Sequence, residues 1–251
     1  MPTLHEINEY MNTWAKPEYS ESWDNDGIML CGNLDKNIEK VTVCLEINAK
    51  IIEDAKKQGS ELIITHHPFI FRPMRNIRGV EFDYVSELIS ASVAVFSYHT
   101  RLDSACGGVN DVLAKKLGLT DICPFAELGR IGKLSRPIGA REFADHIKNT
   151  LGCGTMRCSV NENKNIETVA VLGGAGKDFV ELACECADAY VTADLSHNSF
   201  ITANEHGLCL FDAGHYFTEN PVTEEIAGRL RTKFPKLQVS VSDSCCPYTL
   251  I

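Results

Sequence analysis

The run Leu62-Ile63-Ile64-Thr65 is closed by His66, His67 and Pro68. An unbroken apolar run this short reads as a strand buried on both faces. Pro68 has no N–H to give to a ladder, so the strand stops at the histidines. A strand of that kind needs helices to cover it, and the flanking sequence supplies them. Residues 40–47 (KVTVCLEI) alternate as a strand, and 48–59 read as a helix capped by Asn48 and stopped by Gly59. Helix, strand and helix follow at 81–92, 93–100 and 107–119. This βαβαβα alternation predicts an α/β fold with a largely parallel sheet. Such sheets bind ligands at the carboxyl ends of their strands, which is where the two histidines stand.

Residues 123–140, rich in glycine and proline, interrupt the pattern, so the chain is divided there into units 1–125 and 126–251. The second unit is expected to hold helices and strands in similar alternation, closed by a strand at 237–242. Both halves place histidines and acids just after apolar strands, a loose echo that points to two similar α/β units.

The 251 residues carry a net charge of −10. An acidic surface argues against binding nucleic acid, whose phosphates call for a basic one. No apolar stretch is long enough to cross a membrane. The N-terminus lacks the basic start and apolar core of a signal peptide, so a cytoplasmic protein is expected. The eleven cysteines are scattered and odd in number, which does not read as a disulfide framework. Cys44, Cys184 and Cys209 lie in apolar segments and read as core residues. The pairs Cys184/Cys186 and Cys245/Cys246 lack the spacing of a zinc site, so no cysteine is expected to bind metal.

Four strand ends concentrate metal-ligand residue types. They are His66 with His67; His99 with Asp103; Asp194 with His197; and Asp212 with His215 and Glu219. His215 and Glu219 are four residues apart and share a face if a helix begins there. Imidazole and carboxylate together suit Zn, Fe, Mn, Co or Ni as divalent ions. A bridging carboxylate holds two such ions about 3.5–4 Å apart. A structural role accounts for one strand-end histidine, but poorly for all of these clusters. Two further stretches stand out. SWDNDGIML (22–30) is either a turn packed by Trp23 or a polar loop lining the site. VLGGAGKDF (171–179) is either a tight strand-to-helix turn or an anion cradle, and matches no nucleotide fingerprint.

Taken in order, SWDNDGIML, THHPFIF, YHTRLDSACGGVNDVLAKKLGL, LGRIGKL, VLGGAGKDF, VTADLSHN and FDAGHYFTE resemble the Nif-three-like dinuclear-metal family. That family is often labelled GTP cyclohydrolase 1 type 2 homologue. The resemblance runs from Trp23 to the C-terminus. It implies two similar, intertwined three-layer α/β/α units with a metal site between them, and a ring-shaped homohexamer. It implies two divalent ions per chain on His66, His67, Asp103, His215 and Glu219, with Asp103 and Glu219 bridging. His99 matches a further histidine of the family that either supports the ligands or faces substrate, and as an imidazole it is the candidate catalytic residue, suited to shuttling a proton. The chain departs from the family at Ala193, where T-G-D is usual, and at Arg101, where H-T-N-x-D carries Asn. Both are expected to alter the lining of the cavity. The function implied is a metal-dependent hydrolase acting on a nucleotide-like or phosphorylated small molecule. The alternative is a non-catalytic metal-handling, chaperone-like or scaffold protein.

Overall fold

The structure is a computed structural model and describes residues 1–249. The chain forms two compact α/β units. The first comprises Met1–Ala105 and Val222–Cys245; the second comprises Cys106–Pro221 and the segment from Cys246 onward.

In the first unit the elements are α1 (Leu4–Trp14), β1 (Gly27–Leu30), β2 (Lys40–Cys44), α2 (Ala49–Gln58), β3 (Leu62–Thr65), α3 (Val80–Ser90), β4 (Ala94–Ser97) and α4 (Thr100–Ser104). Its sheet has the order β1-β4-β3-β2, with β2, β3 and β4 parallel and β1 antiparallel at one edge. Every residue of β3 and β4 is buried, as parallel strands covered on both faces require. The caps read from sequence form: Asn48 Oδ1 accepts from the Ile51 N–H at 3.0 Å, and Gly59 adopts a left-handed φ of 70°. Thr3 and Glu6 add a capping box at α1.

The second unit contains α5 (Val109–Lys116), β5 (Thr120–Phe125), β6 (Gly129–Gly139), α6 (Ala140–Leu151), β7 (Arg157–Ser159), β8 (Asn165–Ala175), α7 (Val180–Cys186), β9 (Ala189–Ala193), α8 (His197–His206), β10 (Cys209–Asp212) and α9 (His215–Glu219). Its sheet runs β5-β6-β8-β9-β10-β7, parallel only across β8, β9 and β10. The core on one face of this sheet is built around Phe143, Ile147, Val169, Val191 and Phe211.

The chain then returns to the first unit as α10 (Val222–Lys233) and β11 (Gln238–Val241). This differs from the division at 125/126. The open edge of β2 takes β11 in parallel, Gln238 opposite Lys40 and Val241 opposite Val43. Helix α10 buries Ile226, Ala227 and Leu230, while Phe234 just beyond it packs edge-on to Tyr10 of α1 at 5.7 Å. Strand β11 covers the edge of β2 and becomes the sheet's own edge strand, short and partly exposed.

Three local readings also change. Residues 123–140 hold β5 and β6, an antiparallel pair, and not a break. A Cβ at Gly129 would lie 2.7 Å from the Val171 carbonyl, and one at Gly132 would lie 2.8 Å from the Thr120 carbonyl. These glycines permit close strand approach, and Pro124 is tolerated because β5 is an edge strand. The strand expected at 93–100 stops at Ser97, and Thr100 already opens α4. The helix expected after β10 is two helices, interrupted at Pro221, whose ring cannot continue a helix. Among the described residues no helix is long and apolar enough to cross a membrane.

Candidate metal centre

Strand β3 ends at Thr65 and its parallel neighbour β4 at Ser97, opposite each other in register. The two hydroxyls lie 2.7 Å apart. His66 and His67 follow, and both backbone N–H groups donate to the Leu45 carbonyl, at 3.1 and 2.9 Å. The chain beyond Ser97 gives Tyr98, His99 and then α4, which carries Asp103. So the first unit brings four predicted residues to one end of two adjacent strands. The imidazoles form a cluster, with centroids 5.1 Å apart for His66 and His67, 5.3 Å for His66 and His99, and 5.9 Å for His67 and His99.

The ring nitrogens are not equivalent. His66 Nδ1 lies 3.0 Å from the Tyr98 carbonyl oxygen, which can only accept. Nδ1 therefore carries the proton, and Nε2 presents a lone pair. Nε2 faces Asp103 Oδ1 at 3.8 Å, beyond hydrogen-bonding distance. Two acceptors that face each other at this spacing fit two ligands of one cation, given metal–ligand distances of about 2.0–2.2 Å. The pattern repeats. His67 Nδ1 lies 2.8 Å from Glu46 Oε2, and His99 Nδ1 lies 2.8 Å from Asp24 Oδ1. Carboxylate and carbonyl partners of this kind fix the tautomer of metal-binding histidines.

Asp24 comes from the SWDNDGIML loop. Its side chain is fully buried and also accepts from the Thr100 N–H at 3.1 Å and the Thr100 hydroxyl at 2.6 Å. Burial pushes this carboxyl up, but the hydrogen bonds from His99 and Thr100 outweigh it and hold the carboxyl down at about 2. The loop thus supplies a polar brace for His99. Trp23 is 59% exposed and does not pack the turn.

In the second unit, His215 opens α9 just after β10. Its Nδ1 lies 2.7 Å from Asp194 Oδ2, at the end of β9, and its Nε2 lies 2.9 Å from Glu219 Oε2. A neutral imidazole has one N–H to give, so carboxylates on both nitrogens call for a second proton or a cation shared with Glu219. Glu219 is 4% exposed, and a buried carboxylate needs such a partner. The glycines of VLGGAGKDF make room for it. At Gly174, with φ of 68°, a Cβ would lie 2.1 Å from Glu219 Oε1 and 3.1 Å from His215 Nε2. The Gly173 and Gly174 N–H groups donate to Asn110 Oδ1 at 2.8 Å and Thr218 Oγ1 at 3.0 Å. They are thus committed to side chains of the unit and do not form an anion cradle.

Two strand-end candidates stand apart. His197 begins α8 with an exposed side chain, and Asp212 pairs with Arg157. Asp194 orients His215. Glu46 and Asp24, the partners of His67 and His99, were not singled out from sequence as orienting residues. Their one signal was an acid beside an apolar run. Imidazole nitrogens and carboxylate oxygens, with the tautomers set, fit a divalent transition-metal ion.

The model of the family Duf34/NIF3 (NGG1p interacting factor 3) matches residues 2–247. A Methanocaldococcus jannaschii protein named GTP cyclohydrolase 1 type 2 homolog is 34% identical over 218 residues, which cover 85% of this chain and 88% of that one. The solved structure of reduced HcgD from Methanocaldococcus jannaschii has a TM-score of 0.83 at 30% identity, covering 96% of this chain and 97% of the other. A Bacillus cereus protein related to NIF3 has the same fold, with a TM-score of 0.89 at 21% identity, covering 100% of this chain and 99% of its own.

Gly174→Ala is expected to cost about 1–2 kcal/mol from the left-handed backbone alone and to displace Glu219. Thermal unfolding and metal titration should therefore both change; unaltered metal affinity would contradict the role given to this glycine. Asp24→Asn is expected to lower stability at pH 7 by about 2 kcal/mol, the linkage worth of a carboxyl moved from its ordinary value to about 2. A depressed carboxyl contributes above its unfolded value and loses that contribution as pH falls through its folded one. The gap between wild type and variant should narrow as pH is lowered from about 4 toward 2, read by urea unfolding across that range.

Proposed function

The chain belongs to the Duf34/NIF3 family, and from that premise we propose that it is a metal-dependent hydrolase of a nucleotide-like or phosphorylated small molecule. Two divalent ions per chain are held by His66, His67, Asp103, His215 and Glu219. The observation that supports this best is the common orientation of the histidines. His66, His67 and His215 each commit Nδ1 to an oxygen acceptor, which leaves Nε2 as the nitrogen for a metal ion. In each unit a carboxylate oxygen faces such an Nε2: Asp103 for His66 and Glu219 for His215.

When bound, such ions lower the pKa of water and polarise the bond to be cleaved. The chain's own residues do the rest. His99, with Nδ1–H fixed on Asp24, keeps Nε2 available to take a proton from the attacking water and return it to the leaving group. Asp24 stays ionised across the working range and stabilises the imidazolium that forms. Asp103 and Glu219, buried and anionic, balance the charge of the ions. The name GTP cyclohydrolase 1 type 2 homolog, carried by the relative, is consistent with attack on a guanine nucleotide. A cytoplasmic location is part of the same proposal, supported by scattered cysteines suited to a reducing compartment.

The test is a substrate screen on protein reconstituted with defined metals, with Asp103→Ala as blank. Turnover is expected to follow a metal content of two per chain, and to fall in the blank. Metal transferred to another protein without turnover would favour the metal-handling alternative and overturn the hydrolase reading. His66→Ala and Glu219→Ala should each lower metal content by elemental analysis; unchanged content in both would sink the ligand set.

We also propose that the chain assembles as a homo-oligomer, a hexamer by family resemblance. The outer side of α3 supports it: Phe82 and Ile89, seven residues apart on one helical face, are 55% and 59% exposed. Light scattering of Phe82→Glu/Ile89→Glu should show a smaller particle than wild type. A wild-type mass near the 27.7 kDa of one chain would rule assembly out.

A further inference from the structure

Trp23 and Phe71 are large aromatic side chains left in water beside His99. Trp23 is 59% and Phe71 44% exposed. Their rings meet edge to face, with centroids 6.1 Å apart at 73°. Each also packs edge-on against His99: Phe71 at 6.0 Å and 90°, Trp23 at 6.3 Å and 77°. The arrangement is braced from below. Asn25, two residues after Trp23, donates through Nδ2 to the carbonyl of Ile70, next to Phe71. Asp24, between them, is the buried carboxylate that holds His99. Two exposed aromatics are therefore held in a fixed relation to an imidazole with its Nε2 free for chemistry. A preorganised aromatic surface loses little freedom when a flat ligand settles on it.

The chain that leaves Phe71 carries Arg72, Arg75 and Arg78. All three are exposed, and none makes an ion pair among the described residues. Every other arginine does: Arg101, Arg130, Arg136, Arg141, Arg157, Arg229 and Arg231 each have a carboxylate partner. In a chain with 34 acidic and 24 basic residues, three arginines without carboxylates in one short segment run against the field of the whole. Guanidinium forks match phosphate oxygens in geometry as well as charge.

We propose that Trp23 and Phe71, nearly perpendicular to each other, hold the planar heteroaromatic ring of a phosphorylated ligand, a mononucleotide, Trp23 stacking on its face and Phe71 meeting its edge, and that Arg72, Arg75 and Arg78 take its phosphates. The ring then lies against His99. The ligand is a small molecule and not a polynucleotide, because a net charge of −10 works against a long phosphate chain and three arginines in one short segment offset it only locally. The inference rests on the hydrolase reading only for what happens after binding. Binding itself is read without turnover.

The protein has two tryptophans, Trp14 and Trp23. Trp14→Phe leaves Trp23 as the sole reporter of this chain. Titrated with GMP or GTP, this protein should show saturable quenching, and the same quenching should persist when Asp103→Ala removes turnover. Hydrolysis that fails while binding stands would count against the hydrolase reading alone. By calorimetry on the otherwise wild-type chain, Phe71→Ala and Trp23→Ala should each weaken GMP binding by about five- to a hundredfold. Trp23→Phe, which keeps an aromatic face, should bind more tightly than Trp23→Leu. This contrast separates stacking from simple apolar packing. Arg72→Gln/Arg75→Gln/Arg78→Gln should weaken GTP more than GMP and leave guanosine unchanged. Circular dichroism melts establish that each variant is folded. Four results would overturn the proposal: no quenching by either nucleotide; GMP affinity unchanged in both alanine variants; inorganic triphosphate binding as tightly as GTP; or a single-stranded oligonucleotide binding far more tightly than GTP.

Discussion

Parallel pairing of β3 with β4 is the constraint on which the first unit's candidate site depends. Two parallel strands end on the same side of the sheet, so whatever follows them is brought together. Thr65 and Ser97 stand opposite each other, and the Tyr98 N–H still donates to the Thr65 carbonyl at 2.9 Å. The ladder therefore runs to the last residue before the histidines. Both strands are buried on both faces, and a slip by one residue would misplace His66, His67 and the residues that follow β4 together. Register in the core is thereby converted into position at the site. The Tyr98 carbonyl reaches His66 Nδ1 because Tyr98 is the first residue past the ladder.

Position alone does not make a ligand; proton placement does. A histidine whose tautomer is unsettled presents a lone pair only part of the time. Here a main-chain carbonyl and three different carboxylates all converge on Nδ1. The shared outcome comes from unrelated parts of the sequence: residue 24 in a loop, residue 46 after β2, residue 98 after β4, residue 194 after β9. Such convergence has a cost, because carboxylates accumulate. Asp24, Asp103 and Glu219 are buried or nearly so, and carboxylates taken out of water need their charge answered by hydrogen bonds or by a cation. Asp24 has the first, from His99 and Thr100.

Much of this was legible in the sequence, and what was not has physical causes. The βαβ alternation, the caps at Asn48 and Gly59, and the strand-end histidines follow from periodicity and local chemistry, which act over a few residues. The return of β11 to β2 does not. It is a contact between residues almost two hundred positions apart, decided by an open sheet edge that no local pattern announces. Glycines misled in two places for one reason. At Gly129 and Gly132 they were read as breakers, and at Gly173 and Gly174 as a turn or an anion cradle. In all four positions their use is the absence of a Cβ where backbone or a side chain comes close. Sequence shows that a glycine is present, but the neighbour it accommodates belongs to the tertiary structure.

Arg101 makes the same point from the other side. Where the family resemblance leads one to expect asparagine, a long cation was expected to reshape the cavity. Instead it is 3% exposed. Its Nε lies 3.0 Å from Asp26 Oδ2, its Nη1 donates to Asn12 Oδ1 at 2.9 Å, and its guanidinium lies over the Tyr98 ring at 4.7 Å. Burial pushes the Asp26 carboxyl up, and Arg101 works against that. The side chain thus ties α1 to the loop that carries Asp24, and Asp24 in turn holds His99. A substitution two residues from His99 and two from Asp103 acts by turning inward. The arginine braces the support of the histidine, and the lining that a ligand would meet is left to Trp23 and Phe71.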